Sequence, residues 1–260
     1  MGKTINIIRR LGNKETDIKF FKHLLPLDAK TVVEPFGGTF AVIKHFYKDI
    51  TKYKFHINDN DETLYYVYKN YSDAMKQYEE LCKVYASEYK EDLRRLDFKK
   101  YFMDLDMNKH IHDYIIKNIF VKGNMFKDIK NFDNFNPIEK DILDNALITN
   151  LDYTEVFQTY KDDADAFLFL DPPYLFSDNS NYASQVIETD MTQIIVDILD
   201  FIKCCKCKVM LIINRLNLLE YLFKDYIKGE YLRIYQISKK KSMHLIITNY
   251  DIDIDSILPV

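Results

Sequence analysis

The chain has 260 residues, of which 47% are hydrophobic and 29% charged, with a formal net charge of −4. That length suffices for one substantial core plus a smaller appended domain. No stretch approaches the roughly 18 consecutive apolar residues of a membrane span, and the N-terminal segment lacks the apolar core of a cleavable signal. A soluble intracellular protein, cytoplasmic and without a membrane partner, is the expectation.

Residues 1–61 alternate helix and strand: a helical stretch around Asp17 to Leu25, the strand Thr31-Val-Val-Glu-Pro, a helix around Phe40 to Tyr47, then Phe55-His-Ile-Asn. From Glu62 to Asn145 the pattern is long, charged and aromatic with helical spacing, as in Leu64-Tyr65-Tyr66-Val67-Tyr68. Residues 62–145 therefore read as a helical insertion. Short, apolar, β-prone runs follow at residues 146–151, 167–170, 209–213, 231–235 and 244–248, with an amphipathic helix, Met191 to Ile202, between the second and third. The alternation predicts an α/β fold, a mainly parallel sheet covered on both faces, built from residues 1–61 and 146–260. The last two runs lie too close for a helical crossover and should pair antiparallel at one edge.

Cys204, Cys205 and Cys207 crowd together without a second cluster or histidines at zinc spacing. Reduced thiols fit that pattern better than a metal site, and no metal is expected. The negative net charge does not advertise a nucleic-acid binder, yet Lys122 and Lys127 fall in a lysine-rich central stretch, and Lys239, Lys240 and Lys241 run together. Solvated faces are the default reading; convergence on one cleft would make a phosphate track.

Ligands of open α/β sheets bind beyond the carboxyl ends of strands, and two such ends stand out. The first strand runs into Glu34-Pro35-Phe36-Gly37-Gly38-Thr39-Phe40 at the start of a helix. The glycines let the backbone turn tightly and approach a nucleoside, toward which helix-start amides would point. The next strand ends in Asn58-Asp59-Asn60-Asp61, about 20 residues on, where an acid commonly accepts both hydroxyls of a ribose.

Asp171-Pro172-Pro173-Tyr174, directly after a run of apolar strand residues, is more specific. The prolines stiffen the backbone and remove two amide donors, leaving carbonyls beside a carboxylate and a flat ring. That set suits a neutral, planar, amino-bearing base: Asp171 and the Pro172 carbonyl each accept an amino hydrogen, and Tyr174 stacks on the ring. Catalysis by positioning and electrostatics needs no strong base.

The order of these segments resembles the DNA adenine-N6 methyltransferases of the Dam type. The resemblance implies a Rossmann-like methyltransferase sheet with an antiparallel last strand, an inserted helical target-recognition domain, and methyl transfer from S-adenosylmethionine to N6 of adenine in DNA. It implies a cofactor site of Lys14 (in Gly12-Asn13-Lys14), Phe36, Gly37, Gly38, Asp59, Asp152, Tyr153 and Asp171. Asp171, Pro172 and Tyr174 would be catalytic, Lys122 and Lys127 would contact nucleic acid, and the protein would act with host or viral DNA. Two positions depart from the family pattern: Arg10 stands where an aromatic residue is usual, and Phe40 where a second glycine is common. Two other readings stay open at this point, the same chemistry on RNA and a nucleic-acid-binding protein that kept the fold and lost catalysis.

Overall fold

The computed structural model describes residues 4–5, 8, 14–47, 51–88, 102–115, 134–135, 137–173, 191–234 and 241–251. In chain order the elements begin with β1 (Thr4–Ile5), α1 (Ile18–Phe21) running into a 3-10 turn (Lys22–Leu24), β2 (Thr31–Glu34), α2 (Ala41–Phe46) and β3 (Lys54–Asn58). Next come α3 (Glu62–Lys69), α4 (Tyr71–Glu88), α5 (Lys109–Ile115), β4 (Asn134–Phe135), α6 (Pro137–Asn145), β5 (Leu147–Thr149), α7 (Tyr153–Tyr160) and β6 (Ala166–Leu170). The chain continues with α8 (Met191–Cys204), β7 (Lys208–Asn214), α9 (Asn217–Leu222), β8 (Ile227–Ile234) and β9 (Lys241–Thr248). They divide between two compact units, Met1–Asn13 with Glu62–Ile148 and Lys14–Asp61 with Thr149–Val260.

The seven-stranded sheet has the order β5-β3-β2-β6-β7-β9-β8. β2 pairs parallel with β3 and β6, β6 pairs parallel with β7, and β9 lies antiparallel between β7 and β8. This is the expected mainly parallel α/β sheet with an antiparallel edge. All five residues of β6 are buried, as an unbroken apolar run in a sheet covered on both faces should be. β8 instead alternates exposed residues with half-buried ones, Tyr231 alone being fully buried, and starts four residues before the apolar run that marks it in the sequence, as an edge strand with one covered face can.

Alternation along the strands sorts the core into two layers. Leu168, Leu170, Leu211, Ile213, Leu245 and Ile247 pack with Val156 and Phe157 of α7 and Ile194, Ile198 and Ile202 of α8. On the opposite face, Phe169 stacks on Phe21 of α1 at 5.6 Å and Phe167 lies 6.1 Å from Phe46 of α2. Residues that follow the odd numbers of β6 therefore look toward α1, which fixes the side on which Asp171 emerges.

Beneath the strand ends, His56 of β3 joins three elements. Thr149 Oγ1 donates to Asn58 Oδ1 at 2.7 Å and lies 2.7 Å from His56 Nε2; since Asn58 Oδ1 only accepts, Nε2 carries the proton. His56 Nδ1 then accepts from Tyr160 OH of α7 at 3.0 Å. Burial pushes the imidazole down to about 4.

The unit containing Glu62–Ile148 is mainly helical, with α3 and α5 joined by Tyr66 stacked on His110 at 4.7 Å and by a 2.8 Å bond from Asn108 Nδ2 to Tyr66 OH. Buried Glu139 of α6 accepts from Tyr71 OH at 2.7 Å and from the Ile8 amide at 3.3 Å. The unit also holds a two-stranded parallel ladder of β1 and β4, too short to leave a hydropathy signal. Among the described residues no helix is long and apolar enough to cross a membrane.

The His56 shift sets a pH dependence. The folded value, about 4, lies below the ordinary 6.5, so the stability that the neutral ring contributes is complete above pH 6.5 and lost as pH falls through about 4. Urea denaturation across that window should show a smaller loss for His56→Gln than for the wild type. Parallel slopes would contradict the assignment.

Candidate active site

β2 delivers Glu34 at its carboxyl end, 3% exposed. Phe40, the N-cap of α2, makes no side-chain cap bond, and the cap is supplied from the strand: Glu34 Oε1 accepts the Ile43 amide at 2.8 Å. A start of α2 expected to offer amides outward thus spends the Ile43 amide on an internal carboxyl. Burial pushes Glu34 up to about 8, with the nearby Asp171 charge adding to the rise and the helix amides opposing it.

The intervening turn explains both glycines. A Cβ on Gly37 would stand 2.8 Å from the Asn58 carbonyl oxygen, and the Gly37 amide donates to that same oxygen at 2.6 Å, so no side chain fits. Gly38 has φ 51° and Phe40 has φ 40°, both left-handed. A phenylalanine there bears strain of roughly 1–2 kcal/mol, which accounts for glycine being common at this place in the family. Here the ring is fully buried and Lys44 Nζ sits 4.7 Å from its centroid.

Asp59, at the end of β3, is 6% exposed and faces this turn. Its Oδ2 accepts the Gly38 amide at 2.9 Å and its Oδ1 the Asp61 amide at 3.0 Å, so the carboxylate is held rigidly by two backbone donors. The neighbouring Asn58 was not singled out from the sequence, yet it ties the strand ends together. Its Nδ2 donates to the carbonyls of Pro35 at 3.0 Å and Leu151 at 3.1 Å, and its Oδ1 accepts the Leu151 amide at 2.8 Å. An asparagine ending an apolar strand was the available signal.

Phe36 and Tyr153 come together, ring centroids 5.4 Å apart with their planes inclined by 29°. Tyr153 OH donates to Asp197 Oδ2 at 2.7 Å, and burial raises its phenol above the ordinary value. Asp152 is exposed; its Oδ1 accepts the Thr154 amide at 2.9 Å, and with Glu155 it forms a capping box at the start of α7.

Asp171 follows β6 directly, and Lys14 Nζ donates to its Oδ1 at 2.5 Å, the lysine side chain being 2% exposed. Burial pushes the Asp171 carboxyl up while Lys14, and more weakly Arg233, pull it back. A second buried pair lies nearby: Arg233 Nη1 is 3.0 Å from Asp17 Oδ2, which also accepts from Tyr231 OH at 3.2 Å. Burial drives His244 down to about 3, with Lys14 and Arg233 adding to the effect. Pro172 is buried beside Asp171. Tyr174, Lys122, Lys127, Gly12, Asn13 and Arg10 lie outside the described residues.

Glu34 provides a test of these surroundings. Its folded value of about 8 exceeds the ordinary 4.5, so the stabilisation from its bound proton is complete below pH 4.5 and lost as pH rises through about 8. Denaturation of wild type and Glu34→Gln should show the wild type losing ground to the variant over that window; a constant difference would contradict the buried, protonated Glu34.

Comparison with known proteins adds to this geometry. The family model of the D12 class N6 adenine-specific DNA methyltransferases matches residues 11–138, a span holding Lys14, Glu34 to Phe40 and Asp59. The Type II methyltransferase M.CviBI of Paramecium bursaria Chlorella virus NC1A is 25% identical over 269 residues, 94% of this chain and 99% of the relative. These matches support DNA, rather than RNA, as the polymer whose adenine is methylated. The chain is thus similar to the D12 class of N6 adenine-specific DNA methyltransferases over residues 11–138 and to a Type II methyltransferase over nearly its whole length.

Proposed function

We propose that the carboxyl ends of β2, β3 and β6 hold the methyl donor and the target adenine, with Asp171 gripping the amino group to be methylated. Methyltransferases of this family in general use S-adenosylmethionine. The residues here suit it: a rigidly held Asp59 carboxylate for the ribose hydroxyls, a turn at Gly37 and Gly38 with no side chains, and the rings of Phe36 and Tyr153 for the purine. Lys14 and Asp152 complete the set that the family resemblance assigns to the cofactor. When bound, S-adenosylmethionine supplies an electrophilic methyl group.

The observation that carries the reading is Asp171 itself, a partly buried carboxylate at the end of the central strand, held by a lysine and followed by two prolines. An adenine amino nitrogen is a weak nucleophile because its lone pair is delocalised into the ring. Acceptance of its hydrogens by Asp171 and by the Pro172 carbonyl orients that lone pair and stabilises the positive charge that develops on nitrogen. Asp171 is the nearest acceptor for the proton that N6 then gives up. Reaching this pocket requires the base to leave the duplex stack, with Tyr174 as the stacking platform. Residues 62–145 serve target recognition, with Lys122 and Lys127 on the phosphates.

Purified protein with labelled S-adenosylmethionine should label duplex DNA at adenine N6. Asp171→Ala should cut the rate by roughly 100-fold or more, with circular dichroism showing that the fold is kept. Normal labelling by that variant would refute the reading.

A further inference from the structure

Asn214 ends β7, one strand across from Asp171, and its Oδ1 is wholly buried without a hydrogen-bond partner. Such an acceptor is destabilising unless something pairs with it. Local structure does not account for the residue: α9 starts from Leu216, which makes no side-chain cap bond, and Asn214 takes no part in that cap.

The strands place this oxygen among the site's charges. Asn214 is the register partner of His244 on β9, which in turn is the partner of Tyr231 on β8. These residues lie on the face opposite Ile213 and Leu245, which is the face of α1 and of Asp171. β6 and β7 pair with Leu170 opposite Leu211, so Asp171 falls opposite Ile212, two residues short of Asn214. With strand spacing of about 4.8 Å and a rise of about 3.3 Å per residue, the two backbones stand about 8 Å apart. A flexible lysine stem spans that gap by changing rotamer. The ammonium of Lys14 already lies close enough to His244, directly across from Asn214, to affect its protonation.

We propose that Asn214 Oδ1 is a second acceptor for Lys14, taken up when the target adenine claims Asp171. The inference rests on the reading of Asp171 as the carboxylate that grips the base. Lys14 occupies Asp171 Oδ1, where it would compete with an adenine amino group placed on that oxygen. A neutral acceptor nearby lets the ammonium step aside without losing its charge, and it satisfies the buried oxygen in the same movement. Asn214 is thus a positioning residue that acts through Lys14, not a group that touches the base.

A double-mutant cycle on the full chain tests this, using single-turnover methylation of duplex DNA with circular dichroism and S-adenosylmethionine titration as controls. Asn214→Ala should fold at least as well as the wild type, because it removes an unpaired buried oxygen, and should lower the methylation rate roughly 10- to 100-fold. Asn214→Asp, which keeps an oxygen and drops the amide NH2, should recover rate relative to Asn214→Ala. In a Lys14→Ala background, Asn214→Ala should change the rate by less than about twofold. Equal effects of Asn214→Ala with and without Lys14, or no effect in either, would overturn the inference. If Asp171→Ala labels DNA normally in the same assay, the base-gripping reading falls and this inference falls with it. An inactive Asp171→Ala alongside additive Asn214 and Lys14 effects sinks the latch alone.

Discussion

The side chain of Asn58 is the constraint from which the site's geometry descends. Three strand ends and the loops that leave them must keep fixed spacing at the carboxyl edge of the sheet, where ladder bonds have run out. One buried carboxamide does this by bonding to Pro35, Thr149 and Leu151. The Pro35 bond holds the turn in which Gly37 meets the Asn58 carbonyl, and the Leu151 bonds hold the segment leading to Asp152 and Tyr153. Asp59 is placed by being next in the chain. Since the Asn58 side chain is buried, loss of the carboxamide would strand several groups at roughly 1–3 kcal/mol each where they stay dry.

Charge is the second organising theme. Lys14 with Asp171 and Asp17 with Arg233 are ion pairs taken largely out of water, an arrangement that seldom adds to stability when compared with apolar packing. Their presence on the one sheet face that carries Asp171 fits the proposed chemistry, in which a carboxylate that accepts hydrogens from a neutral base is kept available without being left alone. Glu34 and His244, both held near neutrality by burial, add no competing full charges to that face.

Much of this was legible in the sequence because the signals were local. The apolar runs of β2, β6, β7 and β9 and the short spacing between β8 and β9 disclosed a mainly parallel sheet with an antiparallel edge. Asp171-Pro172-Pro173 and the interval from Gly38 to Asp59 marked strand ends that the fold brings to the same carboxyl edge of the sheet. The grip of Lys14 on Asp171, the cap that Glu34 provides for α2, and the clamp of Asn58 were not legible, since each joins residues whose proximity only the folded sheet creates. Phe40 illustrates the middle case: its departure from the family's glycine was visible, but its left-handed backbone and the burial of its ring were not. Asn214 left no sequence signal beyond a polar residue ending an apolar strand.

The most direct measurement is a crystal structure of the protein with a target duplex and a non-reactive analogue of S-adenosylmethionine. An adenine outside the stack, its amino nitrogen within hydrogen-bond distance of an Asp171 carboxylate oxygen and the Pro172 carbonyl, with ribose hydroxyls of the analogue on Asp59, is the predicted result. An adenine bound away from Asp171, or an analogue bound away from Asp59, would contradict it.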